Sequence, residues 1–194
     1  MPGLRAACGP SGLPATLHGL RDRALLLVGW AGALRASELV GLQVGDLEFD
    51  ADGLVVQLRR SKTDQDGAGR SVALPSGSSP VTCPARTLRR WLVDAGITAG
   101  PVFREMWGNQ VLDQACTRRT VDRLVRRVAE LTGFDPAKYS SHSLRAGFIT
   151  SARVAGKSDA VIMRVTGHRR SDMLNRYDRG AVHLYERGAA GLGL

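Results

Sequence analysis

The segment from Ser140 to Tyr177 constrains this chain more than any other, because it places catalytic-type side chains at helical spacings. It contains two histidines, His142 and His168, and Arg145 follows the first histidine by three residues. Residues three apart on a helix lie on one face, so we expect His142 and Arg145 to project together. We interpret the segment as one side of a site that handles a phosphodiester without a metal ion.

Capping signals divide the second half of this segment into short helices. Ser158 is expected to cap a helix over Asp159–Thr166, and Gly167 is expected to end it in the left-handed conformation. Ser171 should then cap a helix over Asp172–Tyr177. His168 falls in the tight turn between these two helices.

The amino-terminal half begins with an apolar helical pattern from Leu20 to Leu34, which predicts a buried central helix. A second short helix follows, with Arg35 at its amino end and Glu38 one turn later. An arginine there can join backbone N–H groups in binding an anion. The alternative is a solvated surface arginine.

Three strand-like pieces come next: Asp46–Phe49, Gly53–Arg59 and Arg70–Pro75. The turn residues between them predict a small antiparallel sheet. Lys62 lies in the second turn, where it is either simply solvated or available to a phosphate or a leaving oxygen.

Two amphipathic helices are predicted over Pro84–Ala95 and Asp113–Leu131. Trp91 of the first is read as a core residue rather than a base-stacking platform. The second helix should turn a row of arginines outward, either towards a phosphate backbone or only towards solvent. These arginines are Arg118, Arg119, Arg123, Arg126 and Arg127.

Composition narrows the class of protein. Lys and Arg number 27 against 18 Asp and Glu, which favours a polyanionic partner such as nucleic acid, although a basic soluble protein is the alternative. Cys8, Cys83 and Cys116 are odd in number and widely spaced, so we expect buried thiols rather than disulfides or a metal site. The apolar run Ala24–Leu34 is too short to span a membrane, and no signal peptide is evident, so the expected location is the cytoplasm.

Metal-free phosphodiester cleavage needs a nucleophile, stabilisation of the phosphate oxygens and an acid for the leaving oxygen. Arginine suits the second role because its planar fork stays charged and binds a phosphate through two parallel hydrogen bonds. Tyrosine can be the nucleophile when a strongly positive site lowers the pKa of its phenol.

Five motifs in order resemble the catalytic domain of tyrosine recombinases of the phage integrase family, over roughly residues 20–180. They are Gly-Ala-Leu-Arg35-Ala-Ser-Glu38-Leu, Ser-Lys62-Thr, His142-Ser-Leu-Arg145, Thr-Gly-His168, and Tyr177 nine residues later. The resemblance implies an α+β fold, mainly α-helical with a small antiparallel three-stranded sheet, of the DNA breaking-rejoining enzyme type. Residues 1–19 would be a linker remnant and residues 181–194 a tail.

The resemblance also implies how the phosphate is held. Arg35 and Arg145 would clamp the scissile phosphate, and Glu38 would orient Arg35 or its neighbours. His168 would donate a hydrogen bond to the phosphate.

The remaining implied roles concern proton transfer and attack. Lys62 would protonate the leaving 5′ hydroxyl, His142 would assist proton transfer at the nucleophile, and Tyr177 would form a 3′-phosphotyrosyl enzyme. Tyr139 and Tyr185 fit the spacing of the nucleophile less well. No metal, ATP or other cofactor would be required.

By the same resemblance, the partner is double-stranded DNA and the assembly a homotetramer on two duplexes. Family members usually carry an amino-terminal DNA-binding domain, and residues 1–19 are too few to form it. The chain is therefore interpreted as an excised catalytic domain, the product of a truncated gene or a minimal variant of the family. Family members also exchange a carboxy-terminal segment between protomers, and the corresponding tail here is rich in glycine.

Three other functions remain open. A type IB topoisomerase shares the residues, but the spacing favours an integrase. A degenerate or truncated module of the same family would bind DNA without cleaving it. A metal-dependent nuclease would be inactivated by a chelator.

Overall fold

The computed structural model describes residues 2–9, 12–58, 69–168 and 170–175. The expectations for Lys62, Tyr177 and Tyr185 therefore lie outside the described residues. Within them the helices are α1 (Pro2–Cys8), α2 (Leu17–Ala31), α3 (Ala36–Val40), α4 (Pro84–Asp94), α5 (Arg118–Leu131), α6 (His142–Val154), α7 (Asp159–Thr166) and α8 (Asp172–Asn175). The strands are β1 (Leu47–Phe49), β2 (Gly53–Leu58), β3 (Arg70–Pro75), β4 (Arg104–Trp107) and β5 (Gln110–Ala115).

The first three strands form the predicted antiparallel sheet in the order β1-β2-β3. Val56 at its centre pairs with Leu47 on one side and with Val72 on the other. Val56, Val72 and Leu74 are buried, so alternate residues of the sheet cover the core as period-two patterning requires. The predicted fold class, α+β with mainly helices and a three-stranded sheet, is confirmed.

Several predicted boundaries differ from the structure: α2 spans Leu17–Ala31 rather than Leu20–Leu34, Asp46 lies in a 3-10 helix before β1, and the start of α5 is shifted most. The helix expected over Asp113–Leu131 begins only at Arg118, and residues 113–115 belong to β5, which pairs with β4 as a second small sheet. Gly108 has a positive φ of 55° in the turn between these strands. The Thr117 side chain accepts a hydrogen bond from the Thr120 amide and so sets the start of α5.

The main core surrounds α2, α4, α5 and the three-stranded sheet. Trp91 is fully buried in it, as expected, and its indole Nε1 donates to the Val102 carbonyl at 2.8 Å. All three cysteines are buried, as expected, and carry free thiols. The stretch expected as a linker contributes α1, whose Leu4 and Ala7 join this core.

Helices α6, α7 and α8 surround a second, smaller apolar cluster made by Ile149, Ile162 and Leu174. Leu144 of α6 belongs to the main core instead, and Phe148 meets Trp30 of α2 edge to face at 6.0 Å. Helix α6 therefore contributes to both apolar clusters. No helix in the described part of the chain has the length and apolar character needed to cross a membrane.

Candidate active site

Arg145 connects the two halves of the molecule. It lies on α6 and is 2% exposed. Its Nη1 donates to the Ala33 carbonyl at 2.7 Å, and its Nη2 donates to the Thr166 carbonyl at 2.6 Å. Ala33 belongs to the turn between α2 and α3, whereas Thr166 ends α7. Because a buried charge needs polar partners, these carbonyls fix Arg145 at the junction.

His142 lies one turn before Arg145 on α6, as the spacing predicts, but the two side chains differ in environment. Arg145 is buried, whereas His142 is exposed at the start of the helix. His142 still interacts electrostatically with His168. An exposed imidazole at this edge is open to solvent and to a bound molecule.

His168 follows the end of α7. Gly167 ends that helix with a φ of 67°, and its amide donates to the Met163 carbonyl at 2.7 Å, as the capping signal predicts. This turn aims the His168 ring inward, and the residue is 9% exposed. Its Nε2 lies 3.1 Å from Arg145 Nη2, and its Nδ1 lies 2.9 Å from Thr166 Oγ1.

The hydrogen-bond partners determine which nitrogen of His168 carries the proton. A guanidinium only donates, so Nε2 must accept from Arg145. Nδ1 then carries the proton and donates to Thr166 Oγ1, whose own hydroxyl donates to the Ile162 carbonyl at 2.8 Å. His168 is therefore a neutral imidazole in this arrangement.

The electrostatic surroundings agree with a neutral ring. Burial, followed by repulsion from nearby basic groups, lowers the pKa of His168 from 6.5 to about 4. In decreasing order of effect, those groups are Arg145, Arg35, Arg70 and His142. Positive charge thus converges on His168 from α6, from the start of α3 and from β3.

Arg35 and Glu38 form a closed unit at the start of α3. Arg35 Nη1 donates to Glu38 Oε1 at 2.6 Å, and the Arg35 amide donates to Glu38 Oε2 at 2.8 Å. The Glu38 side chain is 2% exposed, whereas that of Arg35 is 29% exposed. The buried Glu38 carboxylate therefore fixes the position of Arg35, while part of the Arg35 guanidinium remains exposed to solvent. Arg35 is thus partly buried and ion-paired rather than simply solvated.

Arg70 is a member of this cluster that sequence reasoning missed. Its Nη2 donates to Glu38 Oε2 at 3.1 Å, and its Nη1 donates to the Val165 carbonyl in α7. Burial, and secondarily the charge of Arg35, lower the pKa of Arg70, while Glu38 opposes this effect. Arg70 is the first residue of β3, and no local pattern marks such a residue as part of a site.

The structure thus brings together Arg35, Glu38, Arg145 and His168, with His142 at the rim. The described base of the hairpin between β2 and β3, at Arg70, contacts the end of α7. Among the described side chains, no group of three His, Cys, Asp or Glu residues is placed to hold a metal ion.

The arginine row on α5 is exposed as predicted. Two of its members also make contacts within the chain: Arg127 pairs with the buried Asp22, and Arg126 Nε donates to the Tyr139 carbonyl at 3.3 Å. Both expectations for this face, phosphate contact and plain solvation, stay open.

The fold and the site define an α+β protein with a partly buried cluster of basic groups suited to an oxyanion. Residues 12–183 match the phage integrase family, and the chain belongs to that family. The resemblance inferred from the five motifs is therefore confirmed.

Individual relatives support the same assignment. An integrase/recombinase XerD homolog from Selenomonas ruminantium is 40% identical over 83% of this chain and 48% of the relative. The tyrosine recombinase XerD of Yersinia pestis is 32% identical over 77% of this chain and 46% of the relative. The chain spans about half the length of the curated relatives that it matches.

Solved structures share the fold. The XerH site-specific recombinase bound to palindromic difH substrate, in a post-cleavage complex, superposes with a TM-score of 0.75 at 17% identity. The match covers 98% of this chain and 51% of that one. A XerA recombinase superposes with a TM-score of 0.65 at 19% identity, over 87% of this chain and 59% of the other.

Proposed function

We propose that this chain is the catalytic domain of a site-specific DNA recombinase. It cleaves and rejoins DNA strands through a covalent 3′-phosphotyrosyl intermediate on Tyr177, and needs neither metal nor ATP. The observation that carries the proposal is the convergence of Arg35, Arg70, Arg145 and His142 on His168. Because the chain belongs to the phage integrase family, we infer that the anion bound at this basic site is a phosphodiester of DNA.

The cluster supplies charge stabilisation where cleavage needs it. As a nucleophile adds to phosphorus, negative charge grows on the non-bridging oxygens, and fixed cations stabilise that charge most when they need not reorganise. Arg145 is held by two carbonyls and Arg35 by one carboxylate, so both are preorganised. These two guanidinium groups are assigned to the scissile phosphate.

In the cleavage step the Tyr177 oxygen forms a bond to phosphorus and the bond from phosphorus to O5′ breaks. The phenol proton passes to His142, and O5′ takes a proton from Lys62. The phosphoryl group stays joined to the 3′ end of the broken strand and to Tyr177. Attack by the 5′ hydroxyl of another strand reverses these transfers and reseals the DNA, so no external energy source is consumed.

His168 is assigned to the phosphate as a hydrogen-bond donor. In the arrangement described above, its Nε2 instead accepts from Arg145. An incoming phosphate changes this balance because its negative charge offsets the cations that lower the pKa of His168. Binding of DNA should therefore favour a protonated ring that donates through Nε2.

The proposed partner is double-stranded DNA, and the proposed assembly is a homotetramer on two duplexes in the cytoplasm. XerH was solved on its DNA substrate, and the lambda integrase structure, similar at a TM-score of 0.60 and 18% identity, is a dimer on a core site. An amino-terminal DNA-binding domain is proposed to act together with this catalytic domain, because the chain spans about half the length of each relative.

The test is capture of the covalent intermediate. The chain is incubated with a pool of nicked duplexes of randomised sequence, so that cleavage next to the nick releases a short fragment and traps the adduct. The expected product is a protein–DNA species that survives sodium dodecyl sulfate and forms equally well in EDTA. Tyr177→Phe should abolish it.

Matched controls come from the other two tyrosines. Tyr139→Phe and Tyr185→Phe remove the same hydroxyl elsewhere in the chain and should leave the adduct intact. An adduct that persists in Tyr177→Phe refutes the assignment of the nucleophile, and loss of cleavage in EDTA refutes the metal-free mechanism. Salt-sensitive binding with no adduct would identify a DNA-binding module that does not cleave.

A further inference from the structure

We propose that Arg70 is a positioning residue for the cleavage reaction, because it holds Glu38, and through it Arg35, against the end of α7 that carries His168. This inference rests on the proposed function of the same site. It concerns a residue of the sheet that none of the five sequence motifs contains.

The first contact of Arg70 is with the carboxylate that anchors Arg35. Glu38 Oε2 accepts from Arg70 Nη2 at 3.1 Å and from the Arg35 amide at 2.8 Å, while Oε1 accepts from Arg35 Nη1. The Glu38 side chain is 2% exposed, so water cannot readily replace a missing donor. Removal of Arg70 would leave Oε2 underbonded and free the carboxylate to turn.

The second contact is with α7. Arg70 Nη1 donates to the Val165 carbonyl, three residues before His168. The last carbonyls of a helix lack partners within it, so a guanidinium is a natural ligand there. The two Nη groups of one planar fork thus connect the anchor of Arg35 to the helix that presents His168.

Gly167 makes room for this contact. A Cβ atom at Gly167 would lie 2.9 Å from Arg70 Nε and 3.0 Å from Arg70 Cδ. Such separations are closer than carbon and nitrogen atoms tolerate without a shift. The turn before His168 therefore packs directly on the Arg70 side chain, so displacement of one would displace the other.

The hydrogen bonds described for Arg70 go to the Glu38 carboxylate and to the Val165 carbonyl, whereas Arg145 contacts His168 directly. We therefore assign Arg70 to positioning rather than to the phosphate. Its effect on cleavage must be indirect. Misplacement of catalytic groups by about 1 Å can lower a rate on the order of 10²-fold, so an indirect role can still be large.

The experiment measures single-turnover adduct formation on the randomised nicked duplex pool at saturating DNA. Arg70→Gln should slow the reaction about 100-fold, while Arg70→Lys, which keeps the charge but loses the fork, should slow it about 10-fold. DNA affinity, measured separately by filter binding, should change far less than the rate. Equal losses in rate and affinity, or a wild-type rate in folded Arg70→Gln, overturn the proposal.

A double-mutant cycle with Glu38→Gln tests the route of the effect. If Arg70 acts through Glu38, the double variant should be about as slow as the slower single variant. Two rate losses that multiply would show independent action and overturn the proposal. Arg90→Gln is the matched control, because it breaks an exposed Arg–Asp pair on α4 and should leave the rate unchanged.

Two further measurements are made on the same variants. Thermal unfolding shows whether each variant folds, and an NMR titration of the His168 ring gives its pKa. Arg70→Gln removes one of the cations that face His168, so the pKa of His168 should rise. Arg70→Lys keeps the positive charge and should leave the pKa of His168 largely unchanged. If the wild-type chain forms no adduct, the proposed function fails, and the titration still reports on Arg70. An unchanged His168 pKa, or a failure of both variants to fold, overturns the positioning role.

Discussion

Arg145 Nη2 lies 3.1 Å from His168 Nε2, so a permanently charged guanidinium donates to an imidazole nitrogen that is unprotonated in this arrangement. Proton uptake by His168 would place two donors face to face. The pair therefore links the charge state of the site to its geometry, because a charged His168 cannot keep its present contact with Arg145.

The free energy of unfolding should depend on pH through His168. Its pKa is lowered from 6.5 to about 4 in the folded chain, so the unfolded chain binds a proton first as pH falls. This contribution is fully present above pH 6.5 and is lost as pH falls towards 4, up to about 3 kcal/mol at roughly 1.4 kcal/mol per pKa unit. The unfolding free energy, measured with urea at several pH values, should fall more steeply with decreasing pH in the wild type than in His168→Gln. Equal pH dependences would contradict the role of His168.

Thr166→Val should destabilise the chain by about 1–3 kcal/mol, because it leaves the buried Nδ1–H of His168 without an acceptor. The matched control is Thr150→Val. Thr150 Oγ1 also donates to a carbonyl one helical turn earlier, at 3.0 Å, but the side chain is exposed and has no histidine partner. Urea unfolding should show a change within about 0.5 kcal/mol for Thr150→Val. Equal losses for both variants would rule out a contribution from His168.

Gly167→Ala should destabilise the chain more than Gly96→Ala. Both glycines have positive φ, 67° and 64°, where an alanine costs roughly 1–2 kcal/mol. A Cβ at Gly96 would meet nothing within 4 Å, whereas one at Gly167 would meet Arg70. The difference between the losses of unfolding free energy in Gly167→Ala and Gly96→Ala measures the steric clash of the new Cβ with Arg70. It should disappear in an Arg70→Ala background, and its persistence there would show that Arg70 is not the cause.

Cys8 and Cys116 should react slowly with Ellman's reagent in the native chain. Burial raises the pKa of Cys8 to about 11 and that of Cys116 to about 12, so little thiolate forms at pH 8. Peptide mass spectrometry should find both labelled rapidly only after unfolding in guanidinium. Fast labelling of either thiol in the native chain would contradict the observed burial.

Local patterns predicted much of the fold. The limits of β3 and the caps at Ser158 and Gly167 follow from neighbouring residues, and the structure reproduces them. The late start of α5 was missed, because Asp113 was read as part of a helix rather than of a hairpin. Gly108 followed by Asn109, a pair typical of tight hairpin turns, was the available signal.

The site was predicted less completely because its contacts are long-range. Glu38 contacts Arg35 within one helical turn, which spacing can anticipate. Arg70 is 32 residues from Glu38 and 95 from Val165, so its place depends on how the sheet docks on α7. The burial of Arg145 likewise depends on the Ala33 carbonyl, 112 residues away.

Arg145 and Arg70 are held largely by main-chain carbonyls, those of Ala33, Thr166 and Val165. Every amino acid has a main-chain carbonyl, so substitutions at positions 33, 165 and 166 during evolution need not remove the acceptors. Correlated substitution between positions would then carry little trace of these contacts. A search for covarying pairs would be expected to recover the partnership of Arg70 with Glu38 and to overlook its partnership with Val165.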